Sequence, residues 1–245
     1  QTLLDMAKTD ARVGIGRGTN RGFVEKSVQA LGNPNVTIYD DPVAMITDLM
    51  TGRIDAAVRG DMPSVKVLAE LRRQSGVDHM ERLVLLEPMG QKLIFMAPVG
   101  IDECVTVEQK HDTALRALEL MRRIGAGQTV AVMSGGRNGD YGRSMDVDES
   151  IDDAYELVSM LVSEGITAYN AEILIEEAVV KGDLIIAPNG VAGNLIFRSL
   201  HFLGGAKAIG APILNLDKVF VDTSRAKVDY MDSIQIAMML AGERR

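Results

Sequence analysis

A chain of 245 residues with 47% hydrophobic and 24% charged residues can bury a substantial core, enough for one large domain or two small ones. Its formal net charge of −8 excludes a nucleic-acid or anionic-membrane surface, since both need clustered Lys and Arg. With no Trp, 4% aromatics and 14 Met, the core has to be aliphatic, and the lone Cys104 excludes an internal disulfide.

In chain order, Arg12–Gly16 reads as a short strand entering the turn Gly14-x-Gly16-x-Gly18, followed by a helix from Arg21 to Leu31. Val36–Tyr39 is a second strand, and Asp41-Pro42 starts a helix with Asp as cap and Pro in the first helical position. The glycine spacing, with Asp40 about 20 residues further on, loosely imitates a dinucleotide or S-adenosylmethionine fingerprint, but the last glycine comes one position early. An ordinary tight turn is the simpler reading. A helix over 43–51 runs into Gly52-Arg-Ile-Asp-Ala-Ala-Val-Arg-Gly60, and Arg59 falls at a strand's carboxyl end, where open parallel sheets bind ligands. A solvated surface arginine is the competing expectation there.

Pro63 opens a helix over 64–74, and 82–86 and 93–98 are apolar strands. Thr106-Val-Glu-Gln109 is a capping box for a helix with Ala114, Leu118, Met121 and Gly125 on one face. A strand over 129–134 ends in the polar loop Ser134-Gly-Gly-Arg-Asn-Gly-Asp-Tyr-Gly-Arg143, whose mobile backbone and two arginines suit contact with phosphate or coenzyme, with a plain surface excursion as the competing expectation. Ser150-Ile-Asp-Asp153 caps an amphipathic helix, and 171–181 form another. Leu184–Ala187 is a buried strand ending at Pro188-Asn189-Gly190, with Asn189 capping the helix that carries Arg198. Glycines at such a strand-to-helix turn let backbone N–H groups approach an anion, although they commonly serve the turn alone. Ile209–Leu214 and Val219–Val221 are strands, expected as an antiparallel pair at a sheet edge, and the last helix runs from Tyr230 to Gly242. Strands alternate with helices throughout, which implies α/β layers around largely parallel sheets.

Asp183, Leu184, Pro188, Ala192, Gly193, Asn194, Phe197 and Arg198, followed by the pair Ser224-Arg225, make a specific pattern. It resembles the phosphate acetyltransferase and butyryltransferase family, and the likeness extends from about Val43 to Ile236. The resemblance implies two α/β/α-layer domains of the isocitrate and isopropylmalate dehydrogenase-like, phosphotransacetylase type, with a cleft between them. The expected boundaries are 1–80 plus 225–245 for the first domain and 81–224 for the inserted second. It also implies a homodimer and acyl transfer between coenzyme A and phosphate, so coenzyme A or acyl-CoA and a small phosphorylated ligand are the expected partners. Ser224, Arg225 and Asp232 are the candidate catalytic residues. Arg225 would clamp phosphate with its fixed fork of donors, and Ser224 would donate to the carbonyl or to phosphate. Arg59, Ser134, Arg137, Arg143, Asn189, Gly193, Asn194 and Arg198 are the candidate ligand-binding residues.

The chain departs from the family where the acetyltransferases carry an Asp seven residues beyond the Ser, the residue resembling the thiol's general base. Met231 stands there, flanked by Asp229 and Asp232, and Lys227 replaces the Asp of the butyryltransferase run Ser-Arg-Ala-Asp. The ending and the loop Gly139–Asp148 look most like the methanogenesis-marker, methyltransferase-related mtx subunit X group, which implies an archaeal source. Two alternatives to acyl transfer therefore stand: a methyltransferase-related protein of methanogenesis, with adenosine at Gly14–Gly18, or a non-catalytic ligand-binding subunit. His79, His111 and His201 lack ligand spacing, so no metal is expected. The chain opens on Gln1, as if within a longer gene product; nothing there reads as a signal peptide, no apolar run reaches the ~20 residues of a bilayer span, and a soluble cytoplasmic protein is expected.

Overall fold

The computed structural model describes residues 10–19 and 22–242. They fall into two compact units, one running to Met80 and resuming at Ile209, the other spanning Glu81–Ala208.

The first unit is built on strands β1 (Val13–Gly16), β2 (Val36–Tyr39), β3 (Ala56–Val58), β9 (Lys207–Pro212) and β10 (Val219–Asp222) in the order β2-β1-β3-β10-β9. The first four pair in parallel, with Val13 and Val219 both in register with Ala56, and β9 runs antiparallel to β10. Helices α1 (Phe23–Leu31), α2 (Pro42–Met50), α3 (Ser64–Ser75) and α8 (Met231–Gly242) cover the sheet, α2 packing on α3 and α1 on α8. Successive strand residues face opposite sides. Accordingly Ala57 and Phe220 join Met45, Leu49, Val67 and Leu71 from α2 and α3 in one buried cluster. Each fully buried Val, Leu, Met or Phe of this cluster contributes roughly 1.5–3 kcal/mol of transfer free energy.

The local signals act as expected at several ends. Asp41 accepts the backbone N–H groups of Val43 and Ala44, so Pro42 at the first helical position wastes no donor. Arg21, where the sequence pattern starts the first helix, lies outside the described residues; α1 begins at Phe23.

The second unit orders β4 (Val84–Glu87), β5 (Ile94–Ala97), β8 (Leu184–Ile186), β6 (Val130–Met133) and β7 (Ala168–Glu172) as β4-β5-β8-β6-β7. Only the β4–β5 pair is antiparallel. Its helices are α4 (Val107–Arg123), which carries the full Thr106–Gln109 capping box, α5 (Met145–Ser163), α6 (Ile175–Lys181) and α7 (Gly190–Arg198). A π-helical turn over Ser199–Leu203 extends α7.

Four expectations change. Residues 171–181 are not one helix, because 168–172 pair with β6 as strand β7 before α6 begins. α5 starts at Met145 rather than at Ser150, and Ser150 instead accepts the Gly135 N–H from within the helix. β10 is not at an edge, since β3 flanks it on one side and β9 on the other. The return to the first unit comes at Ile209, ahead of 225, because β10 hydrogen-bonds to β3.

Candidate functional site

In the first unit β1, β3 and β10 end side by side, and their carboxyl ends carry Arg17–Gly18, Arg59–Asp61 and Asp222–Arg225. These turns lock together through the backbone. Gly60 has φ 63°, the left-handed region that favours glycine, and a Cβ there would overlap the Gly16 carbonyl oxygen. Asp61 accepts the Gly18 N–H at 2.6 Å, and Thr223 Oγ1 donates to the Gly60 carbonyl at 2.8 Å.

Arg59 is neither solvated nor extended toward a ligand. It is 5% exposed, its Nε pairs with Asp222, and its Nη1 donates to the Met62 carbonyl at 2.7 Å. Asp222 also accepts the Thr223 N–H at 2.9 Å, so this pair braces the turn that presents Ser224 and Arg225. Tyr230 caps the turn from below: its hydroxyl donates to the Ser224 carbonyl at 3.2 Å. Burial, and then the nearby Asp61 charge against the opposing Arg59, push its phenol up to about 12, so the donor proton stays on.

Ser224 is half-buried and its Oγ accepts the Ala226 N–H at 3.2 Å, while Arg225 is exposed. Asp232 is 4% exposed and faces Lys227 Nζ at 2.7 Å, and the same ammonium donates to the Ile209 carbonyl at 2.9 Å. Asp232 further accepts the Ser233 N–H at 2.7 Å. A carboxylate so enclosed is unavailable to a thiol arriving from solvent. Asp229, the other acid beside Met231, accepts the Met231 N–H at 2.9 Å at the start of α8 and also meets Ser27 Oγ.

The Gly14–Gly18 turn is packed rather than open. Added Cβ atoms would meet Tyr39 and Ile54 at Gly14, Met62 at Gly16 and the Asp61 backbone at Gly18. Asp40, placed to hold a ribose in the adenosine reading, takes both Arg17 Nε and Nη2 at 2.7 Å. The Arg17 hydrogen bonds hold its carboxyl below the usual aspartate range.

In the second unit β6 and β8 are parallel neighbours, so the loop after Met133 and the turn after Ile186 share one edge of the sheet. Ser134 is buried and donates to the Gly136 carbonyl at 2.8 Å. Arg137 and Arg143 are both exposed around Asp140, which accepts the Arg137 N–H at 2.9 Å and Arg143 Nη1 at 2.6 Å. Across the edge, Asn189 caps α7 through the Ala192 N–H at 2.9 Å, and Asn194 Nδ2 donates to the Val99 carbonyl at 2.8 Å. A Cβ on Gly193 would overlap the Pro98 carbonyl oxygen, so this glycine admits the 98–100 backbone. Asn189, Gly193 and Asn194 thus build the turn, while Arg198 is exposed with its guanidinium 5.2 Å from the Phe202 ring centroid.

The chain is 38% identical over 219 residues to mtx subunit X of Methanosarcina acetivorans, an alignment covering 89% of this chain and 78% of the relative. The chain belongs to the mtx subunit X family. The Methanosarcina mazei member is 40% identical over 219 residues with the same coverage, and a Methanopyrus kandleri relative is 39% identical over 214 residues, covering 84% of this chain and 83% of its own. Each of these archaeal relatives carries the word methyltransferase in its name. No family model matches the sequence. Among solved structures, a branched-chain phosphotransacylase from Enterococcus faecalis superimposes with TM-score 0.72 at 15% identity, covering 94% of this chain and 99% of its own. A phosphotransacetylase from Staphylococcus aureus does so with 0.72 at 14% identity, covering 98% of each chain. A 4-hydroxythreonine-4-phosphate dehydrogenase from Klebsiella pneumoniae reaches 0.56 at 11% identity, covering 98% and 93%. This chain thus has the phosphotransacetylase-type α/β fold. No helix among the described residues is long and apolar enough to cross a membrane.

Sequence reasoning passes over Asp61, Asp222 and Thr223 in this family member, and over the pairing of Lys227 with Asp232. Each acts on a partner at another strand end or in the helix beyond, and Asp222 lies 163 positions from Arg59. Only Lys227 announced itself, as the cation standing where the butyryltransferase pattern has an acid.

Proposed function

We propose that this chain holds a small phosphorylated, coenzyme A-like ligand at the Ser224–Arg225 turn and works in the cytoplasm, as a homodimer, as a transferase-type subunit without its own thiol base. The observation that carries the reading is the enclosed Lys227–Asp232 pair. Phosphoryl transacylation requires a thiol to lose its proton beside a cation that receives phosphate. Arg225 offers the second requirement from an exposed, braced turn, and a guanidinium suits phosphate oxygens in bidentate fashion. For the first requirement, Met231 fills the expected position and the neighbouring Asp232 is engaged by Lys227. Arg137 and Arg143 supply exposed cations at the strand ends of the second unit for the same class of ligand.

A second reading, transfer of a methyl group, is supported by the names of the relatives. The closed packing at Gly14–Gly18 moves its donor away from those glycines.

Calorimetry on the purified chain with phosphate, coenzyme A, acetyl phosphate and S-adenosylmethionine separates the readings. The expected result is binding of phosphate or coenzyme A that Arg225→Ala weakens at least tenfold, with no acetyl-CoA formed from coenzyme A and acetyl phosphate. Turnover of that pair would overturn the missing-base reading. S-adenosylmethionine binding that survives Arg225→Ala would favour methyl transfer at another site.

A further inference from the structure

Along α7 and its π-helical extension Val191, Leu195, Arg198 and Phe202 are all exposed, and Leu203 projects at the end. Residues three and four apart share a helix face. The Arg198 guanidinium lies 5.2 Å from the Phe202 ring centroid, so the stripe continues from the α-helix into the π-turn. A different side of α7 is the packed one: Cβ atoms on Gly190 and Gly193 would overlap the Gly100 and Pro98 carbonyl oxygens, and Asn194 holds the Val99 carbonyl. Met89 flanks the far end of the stripe, its Cε 3.0 Å from where a Gly205 Cβ would stand.

The five apolar side chains of this surface are 49% to 88% exposed. A half-exposed Phe alone offers on the order of 100 Å², and monomeric proteins rarely expose contiguous apolar patches beyond a few hundred Å². The stripe is therefore of the size that forms the apolar centre of an interface burying ~800 Å² on each partner.

Charge and spacing select the occupant. Two copies of a chain with net charge −8 repel over most of their surfaces, but residues 190–205 contain no acid and a single charged side chain, Arg198. The stripe also reads the same in both directions, since the steps 191–195, 195–198 and 198–202 are four, three and four residues. An antiparallel copy turned about a two-fold axis midway between Ile196 and Phe197 thus sets Val191 against Phe202 of the second copy, and Leu195 against its Arg198. The small side chain meets the large one, and Leu195 meets the aliphatic stem of an arginine whose head rests on a ring. Such a contact is isologous, with the same patch used on both subunits. An unlike partner would need no symmetric spacing and would meet Arg198 with an acid.

We infer that this face of α7 and the π-turn pairs antiparallel with the same face of a second copy. The inference rests on the homodimer proposed above and supplies its contact surface.

Sedimentation velocity on the purified chain, from low to high micromolar concentration, tests it. The parent is expected to dimerise. Leu195→Arg sets guanidinium against guanidinium at both 195–198 contacts and should weaken the dimer at least tenfold; Phe202→Asp, which faces Val191 with a carboxylate, should do the same. Both positions are half exposed or nearly so, and both variants should keep the parent's circular-dichroism spectrum. Adding Arg198→Glu to Leu195→Arg places opposite charges across the axis and should return the dimer. A parent that stays monomeric throughout overturns this inference together with the homodimer on which it rests. A dimer that Leu195→Arg and Phe202→Asp leave intact overturns this face alone, the homodimer then standing on another surface. A double variant that stays dissociated overturns the antiparallel pairing.

Discussion

Lys227→Met is the most informative single change, because it isolates the interaction that withdraws Asp232 from chemistry. The two side chains are 12% and 5% exposed and meet at 2.7 Å. Removing one partner of a buried ion pair leaves an uncompensated charge and costs ~3–5 kcal/mol. The change also leaves the Ile209 carbonyl without the Lys227 donor at 2.9 Å. In a chain of this length ~1 kcal/mol corresponds to ~2–4 °C, so the midpoint of the first unit should fall by roughly 6–20 °C in scanning calorimetry. Combining Lys227→Met with Asp232→Asn removes both charges while keeping an oxygen for the Ser233 N–H, and most of the loss should return. A Lys227→Met protein within ~1 kcal/mol of the parent would mean that Asp232 is solvated, and the argument that it is lost as a base would fall with it.

Gly193→Ala forces a methyl group into the Pro98 carbonyl and should destabilise the second unit by about 2–3 kcal/mol or more in urea unfolding; an unchanged midpoint would refute the close approach. Burial, first among its causes, pushes the Cys104 thiol up to about 11, so a disulfide reagent at pH 8 should label it only after denaturant is added, and labelling of the native chain within seconds would contradict this. Arg73, and then Gln74, hold Glu70 down from its ordinary 4.5 to about 2. A carboxyl depressed by folding stabilises the native state above its unfolded pKa, and that contribution disappears as pH falls from about 4.5 to about 2. Glu70→Gln should therefore flatten the acid side of the stability profile within that window, and an unaltered profile would show the ion pair to be idle.

Much of the architecture is legible because local rules and global fold agree. Asp41, Thr106 and Asn189 each cap the helix their spacing announces, since a side-chain oxygen that receives a backbone N–H two or three residues on is a local device. Strand β7 escapes the same reading because Ala168-Tyr-Asn-Ala-Glu172 is short, polar and half-buried, with no alternation, and only pairing to β6 makes it a strand. Ser150 misleads because a serine followed by acids looks like a cap, whereas Ser144 and the acids Asp146 and Asp148 begin the helix earlier. At the candidate site the residue types are legible and their engagements are not. Arg59 stands at the strand end that the sequence indicates, yet its tie to Asp222 depends on two strands that meet only in the folded sheet. Glycines at a strand-to-helix turn suggest room for an anion at the backbone; at Gly193 the visitor is the chain's own carbonyl at Pro98.

The position of β10 between β3 and β9 has a consequence for how the chain comes off the ribosome. The second unit is continuous, Glu81–Ala208, and has all its strands as soon as it has emerged. The first unit is then still short of an interior strand: β3 keeps one bare flank until residues 219–222 arrive, and α8 follows them. The later-made segment thus completes the earlier-made half, and the Ser224–Arg225 turn, made directly after β10, takes shape only when that last strand slots in.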